Sequence, residues 1–383
     1  ERRTWTTAGR CKRGGAAVVA AGASALLAIR CVGVYIAASV AEGRSRAAHL
    51  VNGLERPYTV TIDGTDHYLP KDGTVRITLS EGTHTVHAAE LRLPEETIEF
   101  RTNFFSRLFN EEVVVINPDR VAFVLWEETE YMQNVDDSAR YDYALYTNKV
   151  LHTFSDVDFR FVEFPEEIEL SSDREMKSRV SEFEVAPVDF GESLYDEIGE
   201  DAFIENAKRR FHCSPKNIYY VHTLSEWLDP DAFIEEIQGE LQARPVLVEV
   251  HRKYQDIVDE FRPTHGLREE YWELLEADMS RSDLQYLYGR TVYGRAAMHW
   301  LRRSANNSNP YGLAELAWLH LCNGDADLSS EIIDKALELK PSHPSFLSIR
   351  RRVWMAQGKF DDYLASVPKN GRGYPEDYLW LES

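Results

Sequence analysis

PYGLAELAWLHLCNGDADLSSEIIDKALELKP, running from Pro310 to Pro341, is the stretch on which the fold of this chain turns. Apolar residues recur at helical spacing on both sides of Asn323-Gly324-Asp325: Leu313, Leu316 and Ala317 before it, Ile333 and Ala336 after it. Recurrence at three and four residues marks the buried stripe of a helix, and Gly324 beside Asp325 marks a turn between two such stripes. Pro310 suits a first helical position, where the missing N–H has no partner anyway, and Pro341 cannot continue a helix. Ala317, Ser329 and Ala336 are small at the places where two antiparallel helices come closest.

In this cadence the stretch resembles a tetratricopeptide repeat, a unit of about 34 residues made of two packed helices. Leu313 and Leu316 take the large apolar sites of the first helix and Ala317 the small one. Gly324-Asp325 takes the turn, Ser329 and Ala336 the small contacts of the second helix, Ile333 its large one and Pro341 the stop. His320 departs from the pattern, where the family usually has Tyr. One unit on, Pro344, Leu347 and Trp354 recur in phase and Gly358-Lys359-Phe360 falls at the next turn. Arg350 and Arg351 replace apolar and small residues there, which suits a terminal unit with a polar outer face. Upstream, DLQYLYGRTVYGRAAMHWLRRS reads as a shortened pair with Gly289 at the close approach. EVHRKYQDIVDEF and GLREEYWELLEAD form the pair before it. About four helix pairs are expected within residues 246–370, with an ordinary helical bundle as the alternative. The resemblance implies a solenoid whose groove takes an extended peptide or a partner helix. Tyr286, Arg290, Tyr293, Asn323 and Arg350 are the expected groove residues.

Toward the N-terminus the period changes from helical to two. RPYTVTIDGTDHYLPKDGTVRITLSEGTHTVHAAEL alternates apolar and polar residues and is cut by Asp63-Gly64, Asp72-Gly73 and Glu81-Gly82, each a hairpin signal. Strands are expected near 57–62, 66–69, 74–79, 83–89, 96–101, 112–116 and 120–126, forming an antiparallel β-sandwich over 51–135. The piece from Val60 to Val86 resembles the PEGA-type module through Asp63-Gly64, Leu79, Glu81-Gly82 and His84 to Val86, although it lacks the usual Pro-Gly opening. Asn117-Pro118-Asp119 reads as turn chemistry, with a role for Asp119 and Arg120 as the alternative. Residues 136–245 read as a β-rich, then mixed α/β connecting domain. KNIYYVHTL (216–224) is expected as a strand there, and the helix DPDAFIEEIQGEL is expected to be opened by Asp229 and Pro230. Glu166, Glu167 and Glu169 cluster, but as solvated carboxylates they need no catalytic role.

At the other end lies an almost wholly apolar run, GGAAVVAAGASALLAIRCVGVYIAASVA, with Arg30 its one charge. About 20 such residues cross a bilayer, so a transmembrane helix is expected at 14–41. A basic tail, 1–13, carries Arg2, Arg3, Arg10, Lys12 and Arg13, which places the N-terminus in the cytoplasm and the later domains outside. A cleaved signal peptide ending near Ala41 is the alternative. From the anchor to Tyr131 the chain also resembles planctomycete-type membrane proteins with C-terminal repeats.

The expected fold class is therefore multidomain α+β: transmembrane helix, antiparallel sandwich, then an α-solenoid of helix pairs. Formal charge is −21, unevenly spread, because residues 1–46 hold eight Lys/Arg against two Asp/Glu. So acidic a body repels phosphate backbones, and no nucleic-acid partner is expected. Cys11, Cys31, Cys213 and Cys322 show no metal-ligand spacing. His84 and His87 alternate across a strand, His299 and His320 fall on repeat helices, and Asn323-Gly-Asp325-Ala-Asp327 coincides with the repeat turn rather than a calcium loop. Nucleophile-elbow, phosphate-loop and zinc-protease motifs are absent. No enzyme activity, cofactor or metal is expected. The expected function is a membrane-anchored adaptor for a protein or peptide partner. The alternative is an exported enzyme or a carbohydrate- or envelope-polymer-binding protein with its site in residues 130–245.

Overall fold

The computed structural model describes residues 14–366 apart from 72, 105–106, 109–111, 133–139 and 187–189, with the side chains of 14–28 and 192 also left aside. The expected basic tail and the last four residues of the expected repeat region lie outside the described residues. Two compact units divide the chain, Glu1–Val185 and Ala186–Ser383.

The first unit opens with α1 (Gly14–Arg44). Among the described residues twelve strands follow: β1 (Arg46–Leu50), β2 (Tyr58–Ile62), β3 (Thr65–Leu69), β4 (Val75–Leu79), β5 (Gly82–His87), β6 (Glu96–Phe100), β7 (Val113–Ile116), β8 (Phe123–Met132), β9 (Tyr141–Tyr146), β10 (Leu151–Phe154), β11 (Phe159–Arg160) and β12 (Arg174–Phe183). Among the described residues, no helix is long and apolar enough to cross a membrane. This corrects the expected span at 14–41 and the single-pass placement built on it. The described part of α1 is interrupted by Arg30, Glu42 and Arg44, and its last turns dock on protein. Ser39 is buried and its carbonyl accepts from Arg107 Nη1 at 2.8 Å, while Tyr35 Oη donates to the Phe104 carbonyl at 3.3 Å.

The strands form three four-stranded sheets, in the orders β10-β7-β1-β4, β3-β2-β5-β6 and β11-β12-β8-β9. The expected antiparallel sandwich is corrected as well. β1 runs parallel to β7 and β11 parallel to β12, so two of the sheets are mixed. RAAHL is an inner strand, β1, with Ala48 opposite both Ile77 and Val114. Of the three hairpin signals, Asp63-Gly64 joins a paired hairpin. Both residues have positive φ, 49° and 79°, as the two-residue turn requires, and Ile62 sits opposite Thr65. β4 instead leaves β3 to pair with β1, and β5 pairs with β2 and β6. Glu81-Gly82 is therefore a crossing between sheets. The core between the first and third sheets is Val51, Val113, Val115, Ala122, Val124, Phe154, Val157 and Val180.

Asp119 anchors this arrangement rather than merely turning the chain. It is fully buried, and its Oδ2 accepts from Gly53 N and Tyr58 Oη, both at 2.9 Å. Its Oδ1 accepts from Val121 N at 2.9 Å and Ala122 N at 3.2 Å. Burial pushes the Asp119 pKa up, and these hydrogen bonds oppose that shift. Gly53 passes so close to this turn that a Cβ there would meet Ala122 N at 2.1 Å. Arg120, beside it, is ion-paired with Glu96.

The second unit is helical: α2 (Glu192–Ile198), α3 (Glu200–Cys213), α4 (Ile218–Trp227), α5 (Pro230–Leu241), α6 (Val248–Phe261), α7 (Leu267–Ala277), α8 (Ser282–Arg290), α9 (Gly294–Asn306), α10 (Pro310–Cys322), α11 (Ala326–Leu339), α12 (Pro344–Ala356) and α13 (Phe360–Ser366). The expected strand KNIYYVHTL is α4. Asn217 caps it by accepting from Tyr219 N at 3.1 Å, and Tyr220, Val221 and Leu224 form one buried stripe. An aromatic and β-branched run fits a strand locally, but the cap and the three- and four-residue spacing of its apolar groups favour helix once partners surround it.

Candidate functional site

Among α8, α9, α10 and α11, small residues let neighbouring helices approach closely. Ser329 is buried against α10, its Oγ donating to the Ala317 carbonyl at 2.7 Å, and Ile333 and Ala336 are fully buried beside it. A Cβ on Gly312 would meet Ser304 Oγ at 2.7 Å, and Ser304 Oγ already donates to the Ser282 carbonyl at 2.6 Å. Asn309 caps α10 by accepting from Tyr311 N and Gly312 N at 3.0 Å, with Pro310 in the first turn. Asp325 caps α11, accepting from Leu328 N at 3.3 Å. These caps fix where α10 and α11 begin; the first helices of successive pairs are α6, α8, α10 and α12.

On those first helices a charged and aromatic cluster forms that apolar periodicity does not announce. Glu249, in the first turn of α6, is buried; its Oε1 lies 2.7 Å from His343 Nε2, just before α12, and its Oε2 lies 3.0 Å from Arg252 Nη1. Burial acts to raise the Glu249 pKa. The Arg252 charge and the His343 hydrogen bond outweigh it and hold the carboxyl at about 2. Tyr311 stacks on Tyr286 at 5.7 Å between ring centroids and meets His343 edge-on at 5.5 Å. Lys340 Nζ donates to Tyr311 Oη at 2.5 Å and sits 4.4 Å from its ring centre, and burial lowers the Lys340 pKa. His343 also stacks on Phe346, with centroids 4.0 Å apart.

The cluster continues along the same helices. Arg290 Nη2 lies 2.6 Å from Asp256 Oδ1, and its Nη1 donates to Gln255 Oε1 at 3.0 Å. Farther on, the Arg352 guanidinium lies 5.0 Å from the centre of the Trp318 ring. Charge is thus matched inside the cluster while half-exposed aromatic and cationic side chains edge it.

Of the five expected groove residues, the structure brings Tyr286 and Arg290 into this cluster. Tyr286 is buried, its hydroxyl pushed up to about 12 chiefly by desolvation. Tyr293 is 83% exposed at the turn between α8 and α9. Asn323 lines a separate open hollow of about 1240 Å³ with Gln285, Arg295, Arg302 and Leu319. Arg350 turns to α11, where its Nη1 donates to Ser330 Oγ at 2.6 Å and its Nη2 meets Asp334 at 2.9 Å. Glu249, Arg252, Tyr311, Lys340 and His343 are the cluster members that the sequence reading passes over. The available signal was Glu249, Arg252 and Asp256 at helical spacing, a polar stripe on a helix otherwise read for its apolar face.

No group of three or more His, Cys, Asp or Glu able to hold a metal ion occurs among the described residues. His84 is engaged by Asp63 Oδ2 at 2.6 Å and the Ser80 carbonyl at 2.7 Å, while His320 lies 3.9 Å from Asp325. Cys213 is buried, and Cys31 and Cys322 are exposed. Glu166, Glu167 and Glu169 are exposed on the segment between β11 and β12.

No family model matches this chain, and no curated protein matches it. Among solved structures, one described as the crystal structure of MamA protein is similar at a TM-score of 0.22 and 15% identity, over 47% of this chain and 85% of that one. At so low a TM-score the likeness carries no argument.

Proposed function

We propose that the second unit is a non-catalytic docking scaffold, and that the face made by α6, α8, α10 and α12 takes an extended segment of a protein partner. One observation supports this above the others: side chains from four successive first helices meet on a single face, and they are charged and aromatic rather than apolar. Stacked helix pairs supply such a face without any one helix being long. Aromatic and arginine side chains at its edge are the residue types that carry binding energy at protein interfaces. Charges inside the cluster pair with one another, as Glu249 does with Arg252 and His343.

The test is a peptide array of mixed composition probed with the full-length chain and with a Trp318→Ala, Arg352→Glu double variant that retains its helical circular dichroism. Peptides bound by the parent chain and lost in the variant support the scaffold. Equal binding to both chains, or no bound peptide at all, removes this face as the docking site.

A further inference from the structure

The outer surface of the second unit carries an unmatched pair of charge ridges. On α7, Glu269, Glu273 and Glu276 are exposed and share one face with half-buried Trp272. On α9, Arg295, Arg302 and Arg303 are exposed with His299, and the helix bears no acidic residue. Among the described residues none of those three glutamates, and neither Arg295 nor Arg302, takes part in an ion pair, and Arg303 lies 5.4 Å from the Trp300 ring centre. Arg290 and Arg350 of the same unit, by contrast, sit beside Asp256 and Asp334. Between the ridges runs an aromatic seam, with Trp272, Tyr288 and Trp300 in mutual contact at centroid distances of 5.2 to 6.3 Å.

We infer that this surface docks a second copy of the same chain, the acidic ridge of each copy lying on the basic ridge of the other and the tryptophan seams meeting in the middle. A two-fold contact requires a patch complementary to itself, and an acidic ridge beside a basic one meets that condition. Net charge opposes self-contact elsewhere: a chain of −21 repels copies of itself over most of its surface, so a self-contact is confined to a place where arginines answer glutamates. Half-buried tryptophans ringed by charge match the anatomy of small interfaces, with the aromatic pair supplying affinity and the rim supplying register. Two helices of this length present a footprint of about 20 Å by 20 Å, at the low end for a specific complex, so the dimer is weak and salt-sensitive.

Sedimentation equilibrium of the full-length chain tests this. The parent chain forms a dimer with a dissociation constant of about micromolar order at low salt, loosening at least about tenfold near 0.5 M salt as exposed pairs are screened. Arg295→Glu with Arg302→Glu weakens it about 100-fold or more, and so does Glu269→Arg with Glu273→Arg, because like charges then oppose. Mixing the two variants restores a heterodimer, since each reversed ridge then faces its opposite, a result that misfolding of either variant does not produce. A monomeric parent chain overturns the inference and leaves the ridges for a different partner. A dimer that persists in both reversed variants, or fails to re-form on mixing, overturns it too.

Discussion

In the first unit Ala48 pairs across the sheet with Ile77 on one side and Val114 on the other, whereas in the second unit α10 packs on α9 and α11 and each cap serves the helix directly after it. The first unit is thus closed by distant contacts and hinges on a few points where separate segments cross. The second is built of near-neighbour contacts, and its stability is closer to a sum over units. Damage should therefore spread through the whole first unit and remain local in the second, and four substitutions probe that difference.

The largest effect is expected at Gly53. A methyl group there collides with backbone at Ala122 rather than with a side chain that can swing away, so Gly53→Ala costs more than about 3 kcal/mol. Asp119→Ala, which removes the buried acceptor of Gly53 N, Tyr58 Oη, Val121 N and Ala122 N, gives a loss of similar size. Calorimetry should show the transition of the first unit lost or shifted far down while far-UV ellipticity keeps its helical component. Helical signal lost in parallel would mean that the two units do not differ in this way.

Next in size is Glu249, which joins α6 to the start of α12 and is thus the most distant link in an otherwise local unit. Its folded pKa of about 2 lies below the ordinary glutamate value of 4.5. The carboxylate therefore contributes stability above pH 4.5 and loses it as the pH falls toward 2, a contribution on the order of 3 kcal/mol. Glu249→Gln should lower stability at neutral pH by roughly that amount and flatten the acid limb of the helical unit's pH–stability curve. Urea melts across that pH range decide the matter, and an unchanged acid limb in the variant would show that the His343 and Arg252 contacts carry little.

The smallest effect belongs to a single cap. Asn309→Ala leaves Tyr311 N and Gly312 N without their acceptor and costs about 1 kcal/mol. Hydrogen exchange should quicken along α10 and its immediate neighbours alone. Faster exchange reaching α3 or α4 would count against a unit built of near neighbours.

The same contrast explains which features could be read from residues alone. Pro310, Gly324 and Asp229 act over three or four positions, and α10, the turn before α11 and the start of α5 fall where those residues place them. Asp63-Gly64 likewise makes its turn through the φ angles of its own two residues. Glu81-Gly82 sends the same kind of signal, yet it links strands of different sheets, because the partner of β4 is β1, which lies before both hairpin signals in the chain. KNIYYVHTL carries strand-forming residue types and becomes a helix through its Asn217 cap and its buried stripe. In the candidate site Tyr286 and Arg290 were legible as polar groups on a first helix. Arg350 sits at an equally plausible position but faces Asp334 instead.

By itself, then, the sequence determined the starts of α5 and α10, the turn before α11 and the close-approach positions of α10 and α11, because each depends on groups a few residues apart whose geometry the backbone enforces. Which strand pairs with which, that Asp119 is an interior anchor, and that Glu249 meets His343 were decided by tertiary structure. A carboxylate chooses among partners only after folding has brought distant segments within hydrogen-bond range and removed the water that would otherwise satisfy it.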